Sequence, residues 1–369
     1  DNSTGNVVAI VGSRSQEDIK GYVLNRAYQS YRQPGSCIKP LNVYTPYLQL
    51  GNTPDTKVTD SQIDGGPANA DASYAGEMTL TDAVKWSKNT VAWNIYQQIT
   101  PKTGSSFLIK MGFHKIWVDK DYNAGALGGF TYGVTTEEMA GGYAALANDG
   151  VYRKATCIRL IVDASNKTVV NETNRDSKVY DKSASRMMTQ MLREVVLSGT
   201  GTSANVENAV VAGKTGTTNA SKDVWFCGYS KYYTTTVWAG YDYPKEMSGV
   251  NSRVNAIFKD FMTAVHTNLP VTDFSTVTQQ TTQPETTAAV QEETESLPQE
   301  TTAIVPETTG IEQVTPQQVP STTAQVPTTT PYQRWTTAPA QPKTTAPMQY
   351  GDIDATTRTD PDATARGEW

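Results

Sequence analysis

Val210-Val211-Ala212-Gly213-Lys214-Thr215-Gly216-Thr217-Thr218 is followed by Asp223-Val224-Trp225-Phe226-Cys227-Gly228-Tyr229 and by Tyr233-Thr234-Thr235-Thr236-Val237-Trp238-Ala239-Gly240-Tyr241. The last two stretches are rich in β-branched and aromatic side chains and are separated by a short polar turn. They read as an antiparallel hairpin. The first reads as a strand whose glycine marks close approach of a ligand or another backbone, with a cation and hydroxyls along the same edge. Such an edge can pair with an extended peptide while Lys214, Thr215 and Thr217 bind its terminal carboxylate. Gly213-Lys214-Thr215 is also a fragment of a phosphate loop, but that loop needs a glycine five residues before Gly213, and Asn208 stands there.

Outward from this sheet the pattern turns helical. Thr135-Thr136-Glu137-Glu138 has capping-box spacing and predicts a helix running to a stop at Gly150, with Met139, Tyr143 and Leu146 on one stripe. Arg186 to Leu197 predicts a second helix, with Met187, Met188, Met191, Val195 and Val196 facing the core. A third starts after Asn251 or Ser252 and carries Val254, Ile257, Phe258, Phe261, Met262 and Val265, a stripe suited to cover one face of the sheet. Near the start, the apolar run Asn6-Val7-Val8-Ala9-Ile10-Val11-Gly12 suits a buried strand. The folded part therefore reads as α/β of the α+β type.

Composition divides the chain. From Val271 on there are 13 acidic residues against 4 basic ones, so that stretch carries −9 and the first 270 residues carry +3. The acidic part is dominated by Thr, Pro, Gln and Glu, a composition that cannot offset its ordering entropy, so residues 269–369 are expected to be a disordered tail and residues 1–268 one domain. No run of 18 apolar residues appears, so no segment is expected to span a bilayer. The start at Asp1 suggests a processed or partial chain whose targeting segment lies elsewhere. The spacing of Cys37, Cys157 and Cys227 fits neither a zinc site nor a disulfide framework, and two histidines leave little material for a His-based site. No metal or organic cofactor is called for.

Two further motifs carry chemistry. Pro34-Gly35 breaks the chain before Ser36-Cys37-Ile38-Lys39, so Ser36 is expected at a helix start, with Lys39 on the same face within hydrogen-bond reach. There the free backbone N–H groups and the positive dipole end can stabilise an oxyanion. Lys39 acts as a base only if neutral, which requires burial or a neighbouring cation, and Lys214 is the candidate neighbour. Cys37, one residue on, is expected to be buried and to point away from the cleft. Ser87-Lys88-Asn89 lies between two stretches of helical character and is expected to form a connection projecting Ser87 and Asn89 into that cleft.

In this order and with these flanks, Arg32-Gln33-Pro34-Gly35-Ser36-Cys37-Ile38-Lys39-Pro40, Trp86-Ser87-Lys88-Asn89-Thr90 and Gly213-Lys214-Thr215-Gly216-Thr217-Thr218 resemble the transpeptidase domain of class A, bifunctional penicillin-binding proteins. The likeness extends through Gly5 to Gly12, Gly133 to Tyr152 and Gly199-Thr200-Gly201-Thr202, and covers almost all of residues 1–268. It implies the penicillin-binding/serine β-lactamase-like fold, a central, mostly antiparallel sheet with helices on both faces. It also implies a D,D-transpeptidase that crosslinks peptidoglycan stem peptides and is acylated by β-lactams.

Under this resemblance Ser36 is the nucleophile, Lys39 the base, Ser87 a proton relay and Asn89 a ligand of the donor peptide or of Lys39. Lys214 sets the electrostatics, Thr215, Gly216 and Thr217 form the carboxylate-binding edge, and the N–H groups of Ser36 and Thr217 form the oxyanion hole. The family's first strand, glycosyltransferase domain and anchor are expected upstream of Asp1. The expected location is the outer face of the bacterial cytoplasmic membrane, with membrane contact only through that missing anchor. Cell-wall, divisome or elongasome proteins are further partners, and nucleic acid is not one. A serine β-lactamase and a non-catalytic β-lactam sensor or wall-binding module are the alternatives; the lactamase needs a Glu shortly before an Asn on a loop between the second and third motifs to activate a deacylating water, whereas Glu137 and Glu138 are expected at a helix start.

Overall fold

A computed structural model describes residues 1–14, 21, 23–171 and 176–276. The expected tail of residues 269–369 is corrected at its start: Phe274 packs against Tyr229 with ring centroids 5.4 Å apart and Asp273 accepts from Arg193 at 2.7 Å, because an aromatic and a charged side chain there find partners on the domain. The rest of it, from residue 277 on, lies outside the described residues.

After a short helix α1 (Arg26–Gln29), the chain enters a continuous helical run from Gly35 to Leu48. It opens as a 3₁₀ turn, Gly35–Ile38, widens to a π turn, Pro40–Tyr44, and ends in α2 (Thr45–Leu48). Pro40 and Pro46 lack the N–H that a regular α ladder needs, and Thr45 Oγ1 instead donates to Pro40 O. The small sheet β1 (Lys57–Asp60) and β2 (Gly76–Thr79) follows, then helices α3 (Leu80–Lys85), α4 (Asn89–Ile99), α5 (Pro101–Lys110) and α6 (Thr136–Ala147).

Strands β3 (Val151–Arg153) and β6 (Asp176–Lys178) pair with each other, as do β4 (Leu160–Val162) and β5 (Thr168–Asn171). Helix α7 (Lys182–Ser198) leads to the central antiparallel sheet of β7 (Ala212–Thr217), β8 (Asp223–Tyr229) and β9 (Thr234–Gly240). Helix α8 (Val250–Val265) closes the described chain.

Alternation along β8 explains the layers. Trp225, Cys227 and Tyr229 join the larger core with α6 and α7, whereas Val224 and Phe226 face a second core with α8. On that side Phe226 and Phe258 meet with ring centroids 4.6 Å apart. A sheet with helices on both faces is therefore observed, with β8 buried along its whole length.

Several boundaries differ from expectation by a residue or a turn. The capping box is complete: Glu138 N–H donates to Thr135 Oγ1 and Thr135 N–H donates to Glu138 Oε2. Met139, Tyr143 and Leu146 are buried as expected. Helix α7 starts four residues before Arg186, at Lys182 after Asp181, and α8 starts at Val250 behind the left-handed Gly249. Ile257 is exposed, off the stripe made by Val254, Phe258 and Met262.

The run from Asn6 to Gly12 is not a buried strand. It makes a single parallel bridge, Asn6 to Thr156, and Val8, Ile10 and Val11 are exposed. An apolar run becomes a strand only where a neighbouring edge offers a ladder of partners, and one bridge does not supply it.

Candidate active site

The helix start that carries Ser36 packs directly on β7, and two glycines make this possible. Gly35 has φ +52, a left-handed value, and a Cβ there would lie 2.7 Å from Thr217 O. Gly216 faces it from the strand, where a Cβ would lie 2.4 Å from Pro34 O and 2.8 Å from Cys37 Sγ. The two backbones thus touch without side chains between them. Cys37 is fully buried and its thiol donates to Lys214 O at 3.1 Å. Tyr143 of α6 donates to Cys37 O at 2.7 Å. The residue after Ser36 therefore points away from the cleft and ties the helix start to both β7 and α6.

Ser87 is held by an unusual turn. Helix α3 ends with Ser87 N–H donating to Val84 O and Lys88 N–H donating to Ala83 O, the paired bonds of a Schellman C-terminus. Ser87 occupies the left-handed position of that turn, φ +59, where glycine is the usual residue. A side chain kept at a strained position is a sign that the side chain is needed. Its hydroxyl accepts a 2.8 Å hydrogen bond from Lys214 Nζ.

Asn89 then begins α4. Its Oδ1 accepts from Lys39 Nζ at 2.8 Å, and its amide donates to Ala68 O, which fixes the orientation of the side chain. Lys39 Nζ also donates to Ser87 O at 2.9 Å and Lys88 O at 3.4 Å. The 3₁₀ geometry sets residues 36 and 39 on one face, as the spacing predicts. The amine is nevertheless engaged by the Ser87–Asn89 segment, and no hydrogen bond joins it to Ser36 Oγ in this geometry.

Both lysines are fully buried, and neither has a carboxylate partner among the described residues. Burial, and secondarily the charge of Lys214, push the Lys39 amine well below its ordinary value. Burial brings Lys214 down to about 8, against an opposing pull from the Cys37 and Cys227 thiols. A buried amine held toward its neutral form can take a proton, and its charged neighbour can hold an anion.

Along β7, Thr215 and Thr217 stand at the accessible edge. Thr217 Oγ1 donates to Asn251 Oδ1 at 3.3 Å, and the Thr215 hydroxyl lies 2.8 Å from that of Thr200. The structure thus brings Ser36, Lys39, Ser87, Asn89, Lys214, Thr215, Gly216 and Thr217 together where the helix start, the Ser87 turn and β7 meet.

Sequence reasoning missed the support behind Asn89. Asp60, fully buried, accepts from Thr90 Oγ1, Asn69 Nδ2 and the Ala75 N–H, and pairs with Lys88 Nζ at 3.3 Å. Asn69 Oδ1 accepts from the N–H of Asn89 at 2.7 Å and of Thr90 at 3.3 Å, capping α4 from another segment. Burial raises the Asp60 carboxyl, but these donors outweigh it and the net shift is downward. Lys88, the middle residue of its motif, is thus an anchor turned away from the cleft. The only sequence signal was an Asp and an Asn nine residues apart in a stretch that otherwise reads as loop.

The family model for the penicillin binding protein transpeptidase domain matches residues 1–263. The chain belongs to this family. Among its relatives, Penicillin-binding protein 1F of Bacillus subtilis is 36% identical over 275 residues, which are 71% of this chain and 37% of the relative. Penicillin-binding protein 4 of the same organism is 35% identical over 254 residues, 68% of this chain and 40% of the relative. The chain thus spans well under half the length of these curated relatives.

Among solved structures, PonA1 of Mycobacterium tuberculosis in complex with penicillin V matches with a TM-score of 0.60 at 22% identity, covering 69% of this chain and 74% of that one. The D,D-transpeptidase domain of a peptidoglycan glycosyltransferase from Eggerthella lenta matches at 0.52 and 22%, covering 65% and 68%. These likenesses establish that the penicillin-binding transpeptidase domain shares its fold with both proteins.

No helix of the described residues in this transpeptidase domain is long and apolar enough to cross a membrane. Glu137 and Glu138 sit at the start of α6, as expected, and not on a loop. Glu138 is taken up by the cap and by His114, whose N–H donates to its Oε1 at 2.7 Å.

Proposed function

We propose that this chain is a serine D,D-transpeptidase domain that crosslinks peptidoglycan stem peptides and is acylated by β-lactams at Ser36. One observation carries the reading: two fully buried lysines without carboxylate partners converge on Ser87, beside the helix start that holds Ser36.

Lys39, neutral, takes the Ser36 proton as Oγ attacks the carbonyl between the two terminal D-alanines. The oxyanion forms against the N–H groups of Ser36 and Thr217. The leaving amine receives a proton through the Ser87 hydroxyl, which recovers one from the lysine beside it, and the terminal D-alanine departs. The amine of a second stem peptide attacks the ester and gives up its proton along the same route, and Lys39 returns its proton to Ser36 Oγ as the serine leaves. Lys214, Thr215 and Thr217, along the Gly216 backbone, hold the donor carboxylate, and Asn89 aligns the donor chain and Lys39. In a β-lactam the leaving nitrogen stays tethered to the acyl group, so the ester persists. No step uses a metal or cofactor.

In this reading residues 1–268 hold the catalytic machinery, residues 269–276 pack against it, and the domain acts on the outer face of the bacterial cytoplasmic membrane. Cell-wall, divisome or elongasome proteins are its remaining partners. Intact-protein mass spectrometry after incubation with penicillin is the test. A stable adduct mapped to Ser36 and lost in Ser36→Ala supports the transpeptidase. Rapid hydrolysis of the drug indicates a lactamase instead, and a folded protein without an adduct overturns every acyl-enzyme reading.

A further inference from the structure

Thr200 joins the two walls of the cleft. It follows Gly199, the residue that ends α7, and its N–H donates to Lys85 O at 3.3 Å, the last residue of α3 and two before Ser87. Gly199 itself lies against that carbonyl so closely that a Cβ there would come within 2.7 Å of it. The Thr200 hydroxyl stands 2.8 Å from Thr215 Oγ1 on β7. One short segment thus touches both the helix that delivers Ser87 and the strand that delivers Lys214.

A pair of hydroxyls shares one proton and keeps one free. When Thr200 donates to Thr215, the Thr215 proton is released for an anion, and an oxygen that accepts a hydrogen bond becomes a better donor in turn. On the other side of Thr215, Lys214 Nζ donates to Thr215 O at 3.2 Å, so the cation and the oriented hydroxyl share one stretch of strand edge.

We propose that Thr200 is a positioning residue of the carboxylate site: it directs the Thr215 proton toward the terminal carboxylate of a D-alanyl peptide or of a β-lactam. The inference rests on the reading of Thr215 given above. Lys85, Thr200 and Thr215 together set the distance between the Ser87 turn and the carboxylate-holding edge.

The experiment measures acylation of the full chain by benzylpenicillin and by its methyl ester, in Thr200→Val, Thr200→Ser and Thr215→Val. Thr200→Val is expected to lose about tenfold in acylation efficiency with the free carboxylate, the size of one hydrogen bond to a charged group. That loss appears in the half-saturating drug concentration and leaves the limiting rate unchanged. The ester reacts equally with wild type and Thr200→Val, and Thr200→Ser retains the wild-type values. If Thr200→Val matches wild type with both drugs, or loses equally with both, Thr200 does not act on the carboxylate and the proposal falls. If Thr215→Val acylates normally with the free carboxylate, the underlying assignment of Thr215 fails and takes this proposal with it. Impaired Thr215→Val beside unimpaired Thr200→Val removes only the role of Thr200.

Discussion

Lys214 and Ser87 are 127 residues apart in the chain, yet the lysine amine donates to the serine hydroxyl across 2.8 Å. This bond connects the edge strand β7 to the turn between α3 and α4, and the amine that makes it is fully buried. The coupling of charge to architecture has measurable consequences.

The buried Lys214 lies near 8 when folded and takes the ordinary lysine value of 10.5 when unfolded. Between those values the unfolded state binds more protons than the folded one, so this group makes folding more favourable as pH rises from about 8 to 10.5. Its contribution to the slope is at most about 1.4 kcal/mol per pH unit, the equivalent of one proton. Urea titrations from pH 8 to 10 should show a shallower rise for Lys214→Met than for wild type. An identical slope in the two proteins would contradict this assignment of the titrating group.

The same charge acts on Lys39, because Lys214 holds that amine down after burial has done most of the work. Acylation by penicillin should therefore increase with pH as Lys39 loses its proton. Lys214→Met removes the neighbouring cation, raises the Lys39 value and moves the rising limb to higher pH. Stopped-flow acylation across pH 5 to 9 reads the displacement, and a shift to lower pH would refute the coupling.

Ser87 sits at a left-handed position that costs a non-glycine residue roughly 1–2 kcal/mol. Ser87→Gly relieves that strain and Ser87→Ala does not. The glycine variant should be more stable than the alanine variant by about 1 kcal/mol in chemical unfolding. Both should lose acylation to a similar extent, on the order of a hundredfold, the scale of general acid and base effects. Equal stabilities would show that the strain is relieved elsewhere.

Gly216→Ala would drive a methyl group into Pro34 O and Cys37 Sγ. The strand and the nucleophile-bearing helix start would have to separate, at a cost of about 1–3 kcal/mol of stability. Acylation at Ser36 should fall with it. A thermal melt with a penicillin-binding assay distinguishes this from a tolerated change, which would leave both untouched.

Removing Asp60 leaves Lys88 with Asp71, at 3.1 Å, as its remaining carboxylate among the described residues, and takes the acceptor from Asn69, Ala75 and Thr90. Asp60→Leu should destabilise by about 3–5 kcal/mol, while Asp60→Leu with Lys88→Met should recover part of that loss. Equilibrium unfolding of the single and double variants measures the difference. A double variant no better than Asp60→Leu would mean that the hydrogen bonds to Asn69, Thr90 and Ala75 dominate the site, with the Lys88 pair secondary.

What could be read from the chain beforehand followed the range of the interaction responsible. The β8 and β9 hairpin, from Asp223 to Gly240, and the Thr135 to Glu138 cap are each written in one short stretch of chain, and period-two alternation or capping chemistry exposes them directly. The Ser36 to Lys39 spacing was legible for the same reason. The fate of Val7 to Gly12 was not, because it depends on Thr156, a residue far along the chain whose single bridge gives no ladder. The Schellman turn at Ser87 was hidden by its own function, since the glycine that would announce it is replaced by the hydroxyl that Lys214 engages. Asp60 and Asn69 support Asn89 through contacts about twenty to thirty residues distant in sequence. Neither residue belongs to a motif of its own.

The alternation along β8 bears on how this domain can change length. Lys214 stands opposite Cys227 in the ladder, and Thr215 stands opposite Phe226. One residue inserted within β7 ahead of Lys214 would move the amine into the register of Thr215, opposite Phe226 and on the α8 face, and leave the inserted residue or Gly213 in the place beside Ser87. Insertions and deletions are therefore excluded from the strand itself. The connection between β8 and β9, at Ser230 to Tyr233, lies outside this constraint, and length variation between related chains should accumulate there.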